Sequence, residues 1–199
     1  MSAPESTLVL DVPAWVDVEA PPGHRYREDD EKMALVIRLS SENVSRGAGG
    51  PFAAAVFEIG SGRLVAAGVN SVVRLQNCVL HAETMAIMLA QRRVGSFSLR
   101  APALPAHELV TSCEPCAMCL GATLYSGVRR LVIAATRDDA TAVGFDEGPV
   151  FPQSYTYVAD RGIEIVWNVK RAEATRVLRA YREGGGVIYN ADPTPPAIG

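Results

Sequence analysis

The stretch ELVTSCEPCAMCLGATLYSGVRRLVIAA, residues 108–135, passes through three local patterns in quick succession. Glu108 to Ser112 is a short apolar-rich run with the length of a buried strand. Glu114 to Tyr125 predicts a helix, with Pro115 suited to its first turn because the N–H that proline lacks would have no intrahelical partner there. Arg130 to Ala135, carrying Leu131, Val132 and Ile133, predicts the next strand. Strand, helix and strand joined this closely point to an α/β sheet.

The flanking sequence extends that sheet. Upstream, His81 to Val94 predicts a helix, and Pro51–Glu58 with Arg63–Val69 predict a hairpin about Gly60, Ser61 and Gly62. Before them, Met33, Val36, Ile37, Leu39 and Val44 recur at helical spacing from Asp30 to Ser45, and the run Gly47–Gly50 ends the pattern. Downstream come a short helix over Asp138–Val143, a strand over Ile163–Val169 and a closing helix over Ala172–Arg182. The order predicts a three-layer α/β/α domain over residues 28–190, a mixed sheet with helices on both faces. Residues 1–27, with Pro13, Pro21, Pro22 and Gly23, show no period and read as an N-terminal extension; 191–199, with Pro193, Pro195 and Pro196, read as a flexible tail.

Composition narrows the function classes. A chain of 199 residues, 48% apolar and 21% charged, is globular and long enough to bury its own core. A net charge of −3 supplies no positive field for nucleic acid or an anionic membrane, and no apolar run approaches the length of a span. The N-terminus carries Glu5 where a secretory signal carries Lys or Arg, and Pro13 interrupts the apolar stretch that follows. A reducing, cytoplasmic setting is therefore expected, in which three of the four cysteines, Cys113, Cys116 and Cys119, suit metal better than disulfides. Cys78 reads as a small buried residue.

Pro115-Cys116-Ala117-Met118-Cys119 follows His81-Ala82-Glu83 by some thirty residues. Two cysteines three apart at a helix start face one way, where the helix dipole favours thiolate. They supply half of a tetrahedral zinc site, and His81, one of only three histidines, is the natural third ligand, leaving a fourth position open for water. Glu83 can stand beside that water only if His81 sits at the start of its helix. Two thiolates cancel the charge of Zn²⁺, so a carboxylate must take the water's proton, and Glu83 is that base. The competing readings are a redox Cys-x-x-Cys pair, and a closed structural site in which Cys113 is the fourth ligand.

His-x-Glu with Pro-Cys-x-x-Cys resembles the signature of the cytidine-deaminase-like zinc hydrolases. The run Thr111-Ser-Cys-Glu-Pro-Cys-Ala-Met-Cys-Leu-Gly-Ala, followed by Ala142-Val-Gly-Phe-Asp-Glu147, is similar to their guanine deaminase branch, from about residue 31 to Tyr189. The resemblance implies a five-stranded sheet with helices on both faces, one zinc held by His81, Cys116 and Cys119, and proton transfer by Glu83. It implies that Asn70 hydrogen-bonds the base, where the alternative is a turn residue. Phe52 would stand near the base, or else be an ordinary core residue. Glu147 would be a second acid gripping the amino-bearing edge of guanine, or else a surface acid. Tyr189, after Gly184–Gly186, would cover the pocket. Tyr125 stands where the branch commonly carries Trp, and so alters the pocket wall.

The expected activity is hydrolytic deamination of guanine to xanthine and ammonia by a homodimer acting on a small nucleobase, with no membrane role. One alternative is a deaminase of cytosine, a nucleoside or another amino-azine. Another is a nucleic-acid editor, for which Lys170, Arg171, Arg176, Arg179 and Arg182 would be the basic surface; Glu173 and Glu183 interleave with them, as on a solvated helix face.

Overall fold

Ala53, Ala55 and Phe57 pack into one hydrophobic cluster and Ala54 and Val56 into another, and all five are fully buried. Alternate side chains of one strand therefore feed two cores, which requires layers on both faces of the sheet. The computed structural model describes residues 9–190; the first eight residues of the expected extension and the expected tail, 191–199, lie outside the described residues. The strands are β1 (Ala53–Glu58), β2 (Leu64–Val69), β3 (His107–Cys113), β4 (Arg130–Ala135) and β5 (Glu164–Val166). Their order is β2-β1-β3-β4-β5, with β1 antiparallel to both neighbours and β3, β4 and β5 parallel.

The helices are α1 (Trp15–Glu19), α2 (Asp29–Ser45), α3 (Val72–Leu75), α4 (Ala82–Val94), α5 (Ala117–Ser126), α6 (Arg137–Ala142), α7 (Pro152–Asp160) and α8 (Arg171–Glu183). Met33, Val36 and Leu39 of α2 join Leu178 and Tyr181 of α8 on one face of the sheet. Ala82, Ala86 and Ala90 of α4, Leu120 of α5 and Val158 of α7 cover the other. The helix ends follow local chemistry: Asp29, Asp30 and Glu31 open α2, and left-handed Gly95 and Gly127 close α4 and α5. A Cβ on Gly68 of β2 would stand 2.5 Å from Ala82 O and Ala86 N, so only glycine admits α4 so close to the sheet.

At the end of the sheet where β3 begins, Lys32 Nζ donates to Glu108 Oε1 at 2.6 Å, and Arg130 bridges Glu108 and Asp29 at 2.6–2.7 Å. The hydrogen bond from Arg130 holds the Asp29 carboxyl below its ordinary range. This network ties α2 to β3 and β4.

Four local expectations are corrected. α5 begins at Ala117, with Cys116 extended at its N-cap and Pro115 outside the helix. The Glu114 N–H bonds Ala135 O at 2.8 Å, so the chain stays tied to β4 past the end of β3, and Pro115 keeps the residue before it out of the helical region. The last strand shrinks to three residues because Asn168 and Lys170, at φ 63° and 53°, turn the chain away. Cys78 is exposed, in the loop that left-handed Gln76 starts. The N-terminal stretch holds α1, whose Val16 is buried in the same core as Met33, and α7 fills a region with no expected element.

Candidate active site

The starts of α4 and α5 come together beside the end of β3. His81 is the extended N-cap of α4 (φ −69°, ψ 160°), and Glu83 lies in its first turn. Cys116 caps α5 in the same way and Cys119 follows three residues on. One ligand atom from each of His81, Cys116 and Cys119 lies within 4.8 Å of the others, the one group of its kind among the described residues. Zinc–sulfur and zinc–nitrogen bonds of about 2.3 and 2.0 Å place tetrahedral donors about 3.5–3.8 Å apart. Cys116 Sγ and His81 Nδ1 stand 3.5 Å apart, which fits.

Cys113 ends β3 outside this group, with its thiol turned to Thr136 O at 3.7 Å. Burial, and then the charge of Glu147, pushes that thiol well above its ordinary value.

The electrostatics divide the cluster. A hydrogen bond from Cys119, and then one with His81, brings Cys116 down to about 4, while Cys119, as the donor, is pushed well up. Burial opposes charge on His81, but its contact with Cys116 and the nearby Glu83 outweigh that and raise it. Glu83 is buried and raised, first by desolvation and then by the charge of Cys116, and Thr111 Oγ1 lies 3.3 Å from its Oε1. Glu147 is likewise buried and pushed up to about 8, by desolvation and then by Cys116 and Glu83. A thiolate, an imidazole and two carboxyl groups of raised pKa in one cleft form the arrangement found where protons are moved.

Phe52, Asn70, His81, Glu83, Cys116 and Glu147 line one cavity together with Tyr189. Asn70 Nδ2 donates to Tyr189 Oη at 2.8 Å, and the Tyr189 ring stands 5.2 Å from Phe145 and 6.0 Å from His81. Phe52 packs edge-on against Phe145 at 4.9 Å. Tyr125 is not among the lining residues: α5 buries Cys119, Leu120, Thr123 and Ser126, which turns Tyr125 outward and leaves it 83% exposed. The expectation of an altered pocket wall at that position is therefore corrected. Four wall or support residues escaped the sequence reading, namely Thr111, Glu114, Phe145 and Asn190. For Phe145 and Asn190 the signal was adjacency, since each lies within two residues of Glu147 or Tyr189.

Residues 27–135 match the cytidine and deoxycytidylate deaminase zinc-binding region. A guanine deaminase of Bacillus subtilis (strain 168) is 35% identical over 150 residues, covering 75% of this chain and 91% of the relative. A solved guanine deaminase from Nitrosomonas europaea superposes with a TM-score of 0.87 at 40% identity, over 92% of this chain and 100% of that one. The structure of NE0047 in complex with 2,6-diaminopurine gives the same TM-score at 43% identity, over 92% and 97% of the two chains.

Proposed function

The chain belongs to the cytidine and deoxycytidylate deaminase family, on its guanine deaminase branch, and from that premise we propose that it hydrolyses guanine to xanthine and ammonia. The observation that carries the reading is a single cavity lined by His81 and Cys116 of the His81–Cys116–Cys119 group, by Glu83 beside them, and by buried Glu147 with Asn70. His81, Cys116 and Cys119 would hold zinc, which supplies an activated water when bound. Glu83 takes the proton of the attacking water and returns it to ring N3 as oxygen adds to C2. Glu83 then takes the proton of the new C2 hydroxyl while the C2 amino group is protonated by Glu83 or Glu147, so that the C2–N bond breaks, ammonia leaves and the C2 carbonyl of xanthine forms. Tyr189 and Phe145 close an apolar wall over the base and exclude bulk water.

Glu147 sets the substrate. Guanine offers N1–H and an amino group on one edge, two donors that a carboxyl accepts, whereas cytosine sets an acceptor beside its amino group. A buried mismatch of that kind separates substrates by orders of magnitude. Ammonia release from guanine, cytosine, adenine and their nucleosides tests this, with guanine expected to show the highest kcat/KM. A higher value for cytosine or an intact nucleoside would overturn the reading. Replacing Glu147 by Gln should cut guanine turnover strongly with zinc retained. Cys113→Ser should keep both zinc and activity; loss of the metal would make Cys113 a ligand and the site a closed one.

The protein is also proposed to work as a cytoplasmic homodimer. Tyr125 and Met118 on α5, with Tyr157 on α7, are exposed apolar side chains of the kind that a second copy covers, and the two ligand cysteines need a reducing compartment. Among the described residues no helix is long and apolar enough to cross a membrane.

A further inference from the structure

Beyond Lys32, helix α2 carries two polar side chains on its buried face, Ser40 and Asn43, and neither reaches the cavity. Both serve the loop that leads into β1. Ser40 Oγ donates to Pro51 O at 2.6 Å, and Asn43 Nδ2 donates both to Gly50 O at 2.9 Å and to Asn70 O at 3.0 Å. One amide thus bridges two segments, the run before Phe52 and the end of β2. Its Oδ1 is buried with no partner, an uncompensated cost that an apolar residue would avoid, so the use of this Asn lies in its two donors.

The glycines between these groups show how tightly they are drawn together. A Cβ on Gly49 would stand 2.1 Å from Asn70 O and 2.8 Å from Asn43 Nδ2; one on Gly50 would stand 3.0 Å from the Tyr189 ring and 3.3 Å from Asn70 Oδ1. The Asn70 carboxamide is oriented as a result. Its Oδ1 faces the N–H groups of Gly50 and Val72, each at 3.4 Å, and its Nδ2 donates to Tyr189. One N–H of that amide is left without a partner among the described residues, on a side chain that lines the cavity.

We propose that Asn43 is a positioning residue for substrate binding: by clamping Asn70 O and Gly50 O it aims the spare Asn70 N–H at an acceptor on the purine. This rests on the reading of Asn70 as a base-binding residue. The test is a double-mutant cycle in the zinc-loaded enzyme, using Asn43→Ser, Asn70→Ala and the pair. The readouts are the Kd of 8-azaguanine by calorimetry, kcat and KM for guanine, zinc content and thermal unfolding. Asn43→Ser should raise Kd and KM about tenfold, inside the range that coupling between neighbouring residues spans, with kcat changed less. In the Asn70→Ala background it should add nothing. Asn43→Leu gives a second arm that keeps the side-chain volume while removing both donors and the unpartnered acceptor; its effect should also vanish in that background, and it stands in if Asn43→Ser fails to fold. Losses that simply add, or an Asn43→Ser enzyme with unchanged Kd beside an impaired Asn70→Ala, overturn the proposal alone. Unchanged binding by Asn70→Ala removes the premise about Asn70 and the proposal with it.

Discussion

Glu83→Ala should lower kcat/KM for guanine by at least roughly 10²- to 10⁴-fold, the contribution typical of a positioned proton carrier. That span corresponds to about 3–5.5 kcal/mol of barrier. The loss should fall at or beyond its upper end, because the same carboxyl serves the attacking water, ring N3 and the departing amine in turn. Zinc content should not change, since Glu83 lies outside the His81–Cys116–Cys119 group. Nor should the fold suffer: Glu83 is buried and desolvation raises it, disfavouring charge there, so its removal relieves an unfavourable burial. A variant that is inactive, zinc-loaded and at least as heat-stable as the parent is the expected result. Near-normal turnover would take Glu83 out of the mechanism.

The second large effect concerns stability and lies at the opposite end of β3. Glu108→Leu removes the acceptor of Lys32 and one of the three carboxylates paired with Arg130, the others being Asp29 and Glu164. Arg130 keeps Asp29, but the Lys32 side chain, 4% exposed, becomes an ammonium without a partner. Breaking a buried pair in this way costs about 3–5 kcal/mol, to be read from denaturant unfolding of the metal-loaded protein. Replacing Lys32 by Met in the same chain should recover most of the loss, since the charge left stranded is gone. A loss below about 1 kcal/mol would mean that the pair behaves like a solvated surface bridge. Activity measured well below the unfolding transition should be unchanged, because Glu108 begins the strand whose far end reaches the site.

The parts of this protein that its sequence determined by itself are those set by short-range chemistry. The unbroken apolar run Ala53–Phe57 and the helical spacing of Met33, Val36 and Leu39 bury side chains wherever those elements pack, so the layers and the mixed sheet are legible in advance. The donor types of His81, Cys116 and Cys119, and the beginning of a helix at each motif, are legible for the same reason. Tertiary structure decided what depends on residues far apart in the chain. Phe145, Asn190 and Tyr189 enter one cavity with Asn70 because the C-terminal segment returns over the end of β2, a contact across 119 positions that no local period encodes. Tyr125 stands outside because the buried stripe of α5 runs through Cys119 and Thr123, a phase settled by where the helix begins, and that in turn by the Glu114 hydrogen bond to β4. Asn43 reads in sequence as one more polar residue near a helix end. Its two donors acquire a use only when β2 and the Gly49–Phe52 loop are packed against it, because a hydrogen bond between distant segments exists only once the fold has brought both partners to the same place.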